Sequence, residues 1–330
     1  MLSLVQWQNV RRVDHVDLGP ASIRFRGVAA GLTNLKIYDG DVAAYPAAAN
    51  DFDRVTILGR IVQQTRSYLN LPAGTVSQRY VNAVNALMQS ALQDLTLICG
   101  GAYQATRNAD LLRLAQNGAL APKTITVNVL YLAPIGAVPN VIPIDATINQ
   151  HIAQANANGG YQRAGISVVR ANAAAVVATQ TAAGQSILLP AGGGVPANQV
   201  GRFADGGEGG RRLITYCNAR ALAPSSIDLA YLDNYEQQQN DVQGRTYRVG
   251  DTSVGIASNR PIVCVTLNPP AAGNATYPTT VAHELMHALT GCPTHSGDVN
   301  NLIAVGSTRN MNANITDGQI AWMRNNPWVT

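Results

Sequence analysis

Charge is what this chain has least of. Only 13% of its 330 residues are Asp, Glu, Lys or Arg, and among these there are three glutamates and two lysines. The polar surface must therefore be built largely from Asn, Gln, Ser, Thr and Gly. The 46% hydrophobic content is ample for a core and excludes global disorder. The net charge of +4 is carried almost wholly by arginines scattered along the chain, without the stripe or run of a nucleic-acid binder, so no nucleic-acid partner is expected. Cysteine is scarce too. Cys99, Cys217, Cys264 and Cys292 form no C-x-x-C pair, which excludes a zinc knuckle and a thioredoxin-like motif and leaves the redox compartment open. The opening MLSLVQWQNVRR has no apolar h-region, so no Sec signal is expected, and the localisation stays undetermined between another export route and the cytoplasm. Residues 124–144 and 171–201 lack charge over a membrane-span length, but prolines and glycines interrupt both, so no stable membrane insertion is expected.

Pattern along the chain predicts an α+β fold in two domains. Residues 1–45 show short alternating segments such as 23–28 and read as small strands. From Asp51 the period becomes helical. Val55, Leu58, Ile61 and Val62 share one face, as do Val81, Val84, Leu87 and Leu92, and a third helix is expected over 109–116. The break at 117–122, opened by Asn-Gly, separates a smaller, mixed but largely helical N-terminal domain, 1–120, from a second domain, 121–330. In that second domain strands are expected at 124–132, 165–170, 227–232, 252–258 and 262–267, with a helix at 145–157. The Gly- and Pro-rich stretch 188–212 reads as a long surface loop. Strands and helices in this order predict a mixed sheet with helices packed on it.

The chemistry is concentrated in 279–298, TTVAHELMHALTGCPTHSGD, which holds the H-E-x-x-H pattern His283-Glu284-Leu285-Met286-His287. On a helix, positions i and i+4 lie on one face, so both imidazoles can reach one zinc ion, and the glutamate between them stands beside it to take a proton from the metal-activated water. With five histidines and three glutamates in the chain, a chance match is on the order of 0.001. Thr279 or Thr280 offers an N-cap, and Gly291 followed by Pro293 a stop. A catalytic zinc needs three protein ligands and an open position. No glutamate follows the motif, so the third ligand comes from His295, Asp298, Cys292 or Asp317. His295 is the best by chemistry and reach, and Asp298 is second. His15 and His151 are isolated and read as ordinary histidines.

On these residues 124–330 resemble a metzincin-type zinc metallopeptidase of the zincin superfamily. That family carries H-E-x-x-H-x-x-G-x-x-H, a methionine-containing turn under the site and a last helix. Here the glycine, Gly291, falls one position late with Thr290 in its place, and His295 falls two positions late. Asn301-Leu302-Ile303 is similar to the methionine turn with Ile303 replacing methionine, Met311 being the alternative, and 316–324 is similar to the last helix. The resemblance implies a zincin-like mixed sheet with an active-site helix, Zn2+ as cofactor, and a polypeptide substrate. It implies a metalloendopeptidase that hydrolyses peptide bonds, with Glu284 as general base and His283, His287 and His295 as ligands. It also implies an edge strand that pairs with the peptide, for which 252–258 is the candidate. A secreted or injected bacterial effector is compatible with the missing Sec signal and the extra domain. The competing class is a catalytically inactive zincin-fold binding or structural protein, favoured by the shifted histidine and the missing methionine. Cys99, in LICGG, invites comparison with an inhibitory zinc-binding cysteine, although a buried thiol after a helix is the simpler expectation.

Overall fold

The structure is a computed structural model that describes residues 41, 44–69, 78–99, 104–133, 141–178, 185–191, 194–197, 200–223, 225–233, 244–267, 277–306, 309–310 and 312–330. In chain order its principal elements are α1 (Asp51–Leu69), α2 (Gln78–Cys99), α3 (Gln104–Leu114), β1 (Lys123–Leu132), α4 (Val141–Ala157), α5 (Gly159–Ala164), β2 (Ile166–Arg170) and β3 (Val176–Ala178). There follow α6 (Glu208–Asn218), β4 (Ser226–Leu232), β5 (Gly244–Tyr247), β6 (Ile262–Thr266), α7 (Thr280–Thr290) and α8 (Asp317–Arg324). The chain is mixed α/β and divides into two compact units, Met1–Ala121 with Thr316–Asn325, and Pro122–Ile315 with Asn326–Thr330. No described helix is long and apolar enough to cross a membrane.

The first unit is helical where it is described. The face predicted on α1 is its core side, with Phe52, Val55, Leu58, Ile61 and Val62 buried against α2 residues such as Val84, Leu87 and Leu95. Asn50 caps α1 by accepting from the Asp53 amide at 2.9 Å. The short helix α8 belongs to this unit rather than to the second domain, where the sequence placed it. Thr316 and Gln319 form a capping box at its start. Its Trp322 ring lies 5.4 Å from that of Phe52, and its buried Arg324 donates to Asp110 at 3.0 Å. Two glycines let α1 and α8 cross closely. A Cβ on Gly59 would lie 2.9 Å from the Gly318 amide nitrogen, and one on Gly318 would lie 2.3 Å from the Val55 carbonyl oxygen.

The second unit is a six-stranded mixed sheet ordered β2-β1-β4-β6-β5, with β3 also pairing β1. All pairings are parallel except the last, in which β5 runs antiparallel to β6 and is the edge strand among the described residues. The inner strands β4 and β6 are buried throughout, which is why SIDLAYL and IVCVT read as nearly unbroken apolar runs. One face packs Leu130, Leu132, Ala230, Leu232, Ile262 and Cys264 against Leu213, Ile214 and Cys217 of α6. The other face carries α4 and α7. There His151 of α4 stacks on Tyr231 with ring centroids 5.7 Å apart.

Several expectations differ from this structure. The segment 252–258 is not a strand. It turns through Gly255, whose positive φ of 81° breaks extended pairing, and the edge strand is β5 instead. The loop expected over 188–212 ends at α6, which starts at Glu208 and draws two arginines, Arg211 and Arg212, onto that carboxylate. Strand β3 was not expected, and α3 and α4 begin earlier than predicted. The small strands expected around 23–28 lie outside the described residues.

Two predictions follow from packing and burial. Gly318→Ala should destabilise the first unit by about 1–3 kcal/mol, because the methyl meets backbone that cannot give way; urea unfolding checks this. Burial lowers the His151 pKa to about 4. The unfolded chain therefore takes up a proton near pH 6.5 that the folded chain resists, and stability falls as pH drops from about 6.5 towards 4. At pH 5 this amounts to about 2 kcal/mol. His151→Phe should flatten that part of the stability–pH curve measured by denaturant midpoints.

Candidate metal centre

The site grows from α7, every residue of which is buried. Thr279 holds the N-cap position but makes no side-chain cap hydrogen bond, so the expected threonine cap is one of place only. Tyr161 of α5 donates to the Ala282 carbonyl at 2.9 Å and fixes the first turn. At the far end Gly291 adopts the left-handed conformation, φ 66°, and its amide returns to the His287 carbonyl at 3.0 Å. The chain then reverses and brings His295 back over the helix.

Three of the five sequence-predicted residues converge as ligands. The candidate ligand atoms of His283, His287 and His295 all lie within 4.8 Å of one another. Ring centroids are 4.8 Å apart for His283 and His287, 5.3 Å for His283 and His295, and 5.0 Å for His287 and His295. His283 and His287 are buried while His295 is exposed, so the cluster opens to solvent on the His295 side.

Backbone carbonyls orient both helical imidazoles. His283 Nδ1 lies 2.7 Å from the Leu302 oxygen, and His287 Nδ1 lies 2.7 Å from the Cys292 oxygen. A carbonyl accepts only, so each Nδ1 carries the proton and each Nε2 keeps its lone pair for a ligand. This is the outer arrangement common around metal-ligating histidines. Arg309 complicates it, since its Nη1 lies 2.5 Å from the same His283 Nδ1. The guanidinium and an Nδ1–H cannot both donate to each other. The carbonyl contact decides the tautomer, because Arg309 has the Leu302 and Ala304 oxygens, each at 3.3 Å, as acceptors.

Electrostatics keep the imidazoles neutral. Burial, then Arg309 and His287, hold His283 well below the usual histidine range. Burial lowers His287 to about 4, and burial and then Arg309 lower His295. Neutral imidazole is the ligating form. Glu284 behaves oppositely. Burial pushes its carboxyl up to about 7, against the Thr246 hydrogen bond and the charges of Arg309 and Arg245. Its Oε1 lies 4.0 Å from His283 Nε2, beside the ligand cluster.

The remaining candidates do not join the cluster. Asp298 turns inward on its own loop, accepting from the Asn300 amide at 2.9 Å and the Asn300 side chain at 3.3 Å. Cys292 contributes its carbonyl, and its Sγ lies 3.1 Å from the Thr294 hydroxyl. Asp317 begins α8. Ile303, in the expected position of the methionine, is fully buried next to the residue whose carbonyl holds His283, and Met311 lies outside the described residues. Three residues of this site were not read from the sequence: Arg309, Thr246 and Gly244. A lone arginine in a loop and a four-residue strand, GRTY, carry no pattern that marks them.

The chain matches no protein-family model, and no curated protein matches it in sequence. Its donor set is nevertheless specific: three neutral imidazoles, two of them pre-oriented, with one carboxylate alongside, which together can hold a divalent metal ion. His295→Ala should weaken Co2+ or Zn2+ binding by about 100-fold or more, and Asp298→Ala by no more than a few-fold. Competition against a chromophoric chelator measures both.

Proposed function

We propose that this protein is a zinc metalloendopeptidase. The observation that carries the reading is the buried Glu284 carboxyl standing 4.0 Å from His283 Nε2 at the edge of the three-histidine cluster. His283, His287 and His295 would hold the ion, and all-imidazole donation suits zinc among the available transition metals. When bound, the ion supplies Lewis acidity to water and to the scissile carbonyl.

The chain's own groups do the rest. Glu284 takes a proton from the attacking water as its oxygen bonds to the carbonyl carbon, and hands it to the amine nitrogen as the C–N bond breaks. A carboxyl whose pKa is raised to about 7 is well matched to both halves of that exchange near neutrality. Strand β5 replaces 252–258 as the substrate-pairing edge. It runs antiparallel to β6, and its Thr246 touches Glu284 at 2.7 Å, so a peptide laid along it passes the base. This arrangement supports the metzincin-like reading of the site. No tyrosine follows Tyr277 in this sequence, so oxyanion stabilisation would fall to solvent, a bound ion or a backbone amide. An inactive binding protein would have no use for a carboxyl kept buried beside three imidazoles, where its ionisation is disfavoured.

Zinc analysis and casein cleavage test this together. Wild type should contain stoichiometric zinc and cleave casein. Glu284→Gln should keep the zinc and lose cleavage by about 10²–10⁴-fold. Equal cleavage by the two proteins would sink the mechanism.

A further inference from the structure

Strand β5 does more than border Glu284. Its residues Gly244 and Thr246 are two apart and therefore face the same side of the sheet, the side on which α7 packs. The Thr246 hydroxyl lies 2.7 Å from Glu284 Oε2 and 2.9 Å from the Glu284 carbonyl oxygen. It has one proton to give and can donate to only one of them at a time. Gly244 supplies the second wall. A Cβ there would lie 2.5 Å from Glu284 Cγ, 2.7 Å from Oε1 and 2.8 Å from Cδ, so only a glycine leaves room for the carboxyl. With Oε2 accepting from Thr246, Oε1 is the oxygen nearest His283 Nε2, and the bare Gly244 leaves it room.

We propose that Thr246, seated by Gly244, is a positioning residue that fixes which oxygen of Glu284 faces the metal cluster, so that the edge strand aligns the base with the same backbone it offers to a substrate. The proposal rests on the reading of Glu284 as general base. It adds a mechanical consequence. A peptide that pairs along β5 bears directly on the strand that holds the base, and longer pairing is expressed in kcat rather than in KM.

The test uses full-length protein loaded with Co2+, whose visible spectrum reports ligand binding. Acetohydroxamic acid surrenders its hydroxyl proton on binding, and that proton needs Glu284. Azide brings no proton. Thr246→Val keeps the shape and strand preference but removes the donor. It should weaken acetohydroxamate by about ten- to a hundredfold, as the loss of an outer hydrogen bond that orients a site group does, and leave metal content and azide binding unchanged. Thr246→Ser should restore acetohydroxamate binding to within about threefold of wild type. On an unstructured peptide series, Thr246→Val should lower kcat with KM little altered. Wild-type acetohydroxamate affinity in Thr246→Val, or equal weakening of both ligands, would overturn the positioning role. Glu284→Gln separates the two levels. If it binds acetohydroxamate as tightly as wild type, the base reading fails and this proposal falls with it. If it binds weakly while Thr246→Val does not, only the positioning role is lost.

Discussion

The site depends on two short hydrogen bonds from imidazole Nδ1 atoms to main-chain carbonyls. His283 and His287 could point in many ways from an isolated helix. The oxygens of Leu302 and Cys292 remove that freedom and leave both Nε2 lone pairs directed at one spot. Both acceptors lie beyond the helix, in the segment that follows Gly291. The left-handed turn at that glycine is therefore part of the site: without it the chain could not double back to supply the carbonyls and His295.

Around this pinned pair the charges are unusually sparse and closely matched. Arg309 and Glu284 are buried together near three neutral rings, each moderating the other. A buried arginine that donates to two carbonyls ties down the 302–304 loop, which in turn fixes the acceptor for His283. The fully buried Ile303 fits this picture, since the loop is held by its backbone and by Arg309 rather than by any property peculiar to a methionine.

What the sequence made legible was local. The i, i+4 spacing of His283 and His287, the Gly291 stop and the apolar runs of β1, β4 and β6 are each set within a few residues, and each is found where the pattern puts it. The convergence of His295 followed from reach and ligand chemistry, not from any period. What stayed hidden was non-local. Strand β5 is four residues long and has its meaning only from pairing with β6, while 252–258 alternates like a strand but turns at Gly255. Arg309 and Thr246 enter the site through tertiary packing alone. Helix α8 was expected at the right place in the chain and in the wrong company, because a helical period says which face is apolar and not which core receives it.

The path of the last residues has a consequence for how the molecule is made. Residues 316–325 complete the first unit, and 326–330 return to the second, where Thr330 and Thr124 exchange backbone hydrogen bonds of 2.6 and 3.0 Å. Helices α1 to α3 thus wait, with α1 uncovered at Gly59, until some two hundred intervening residues have been translated. Neither half can be severed as a self-sufficient fragment by one cut, and a nascent chain stalled before Thr316 would hold both units unfinished.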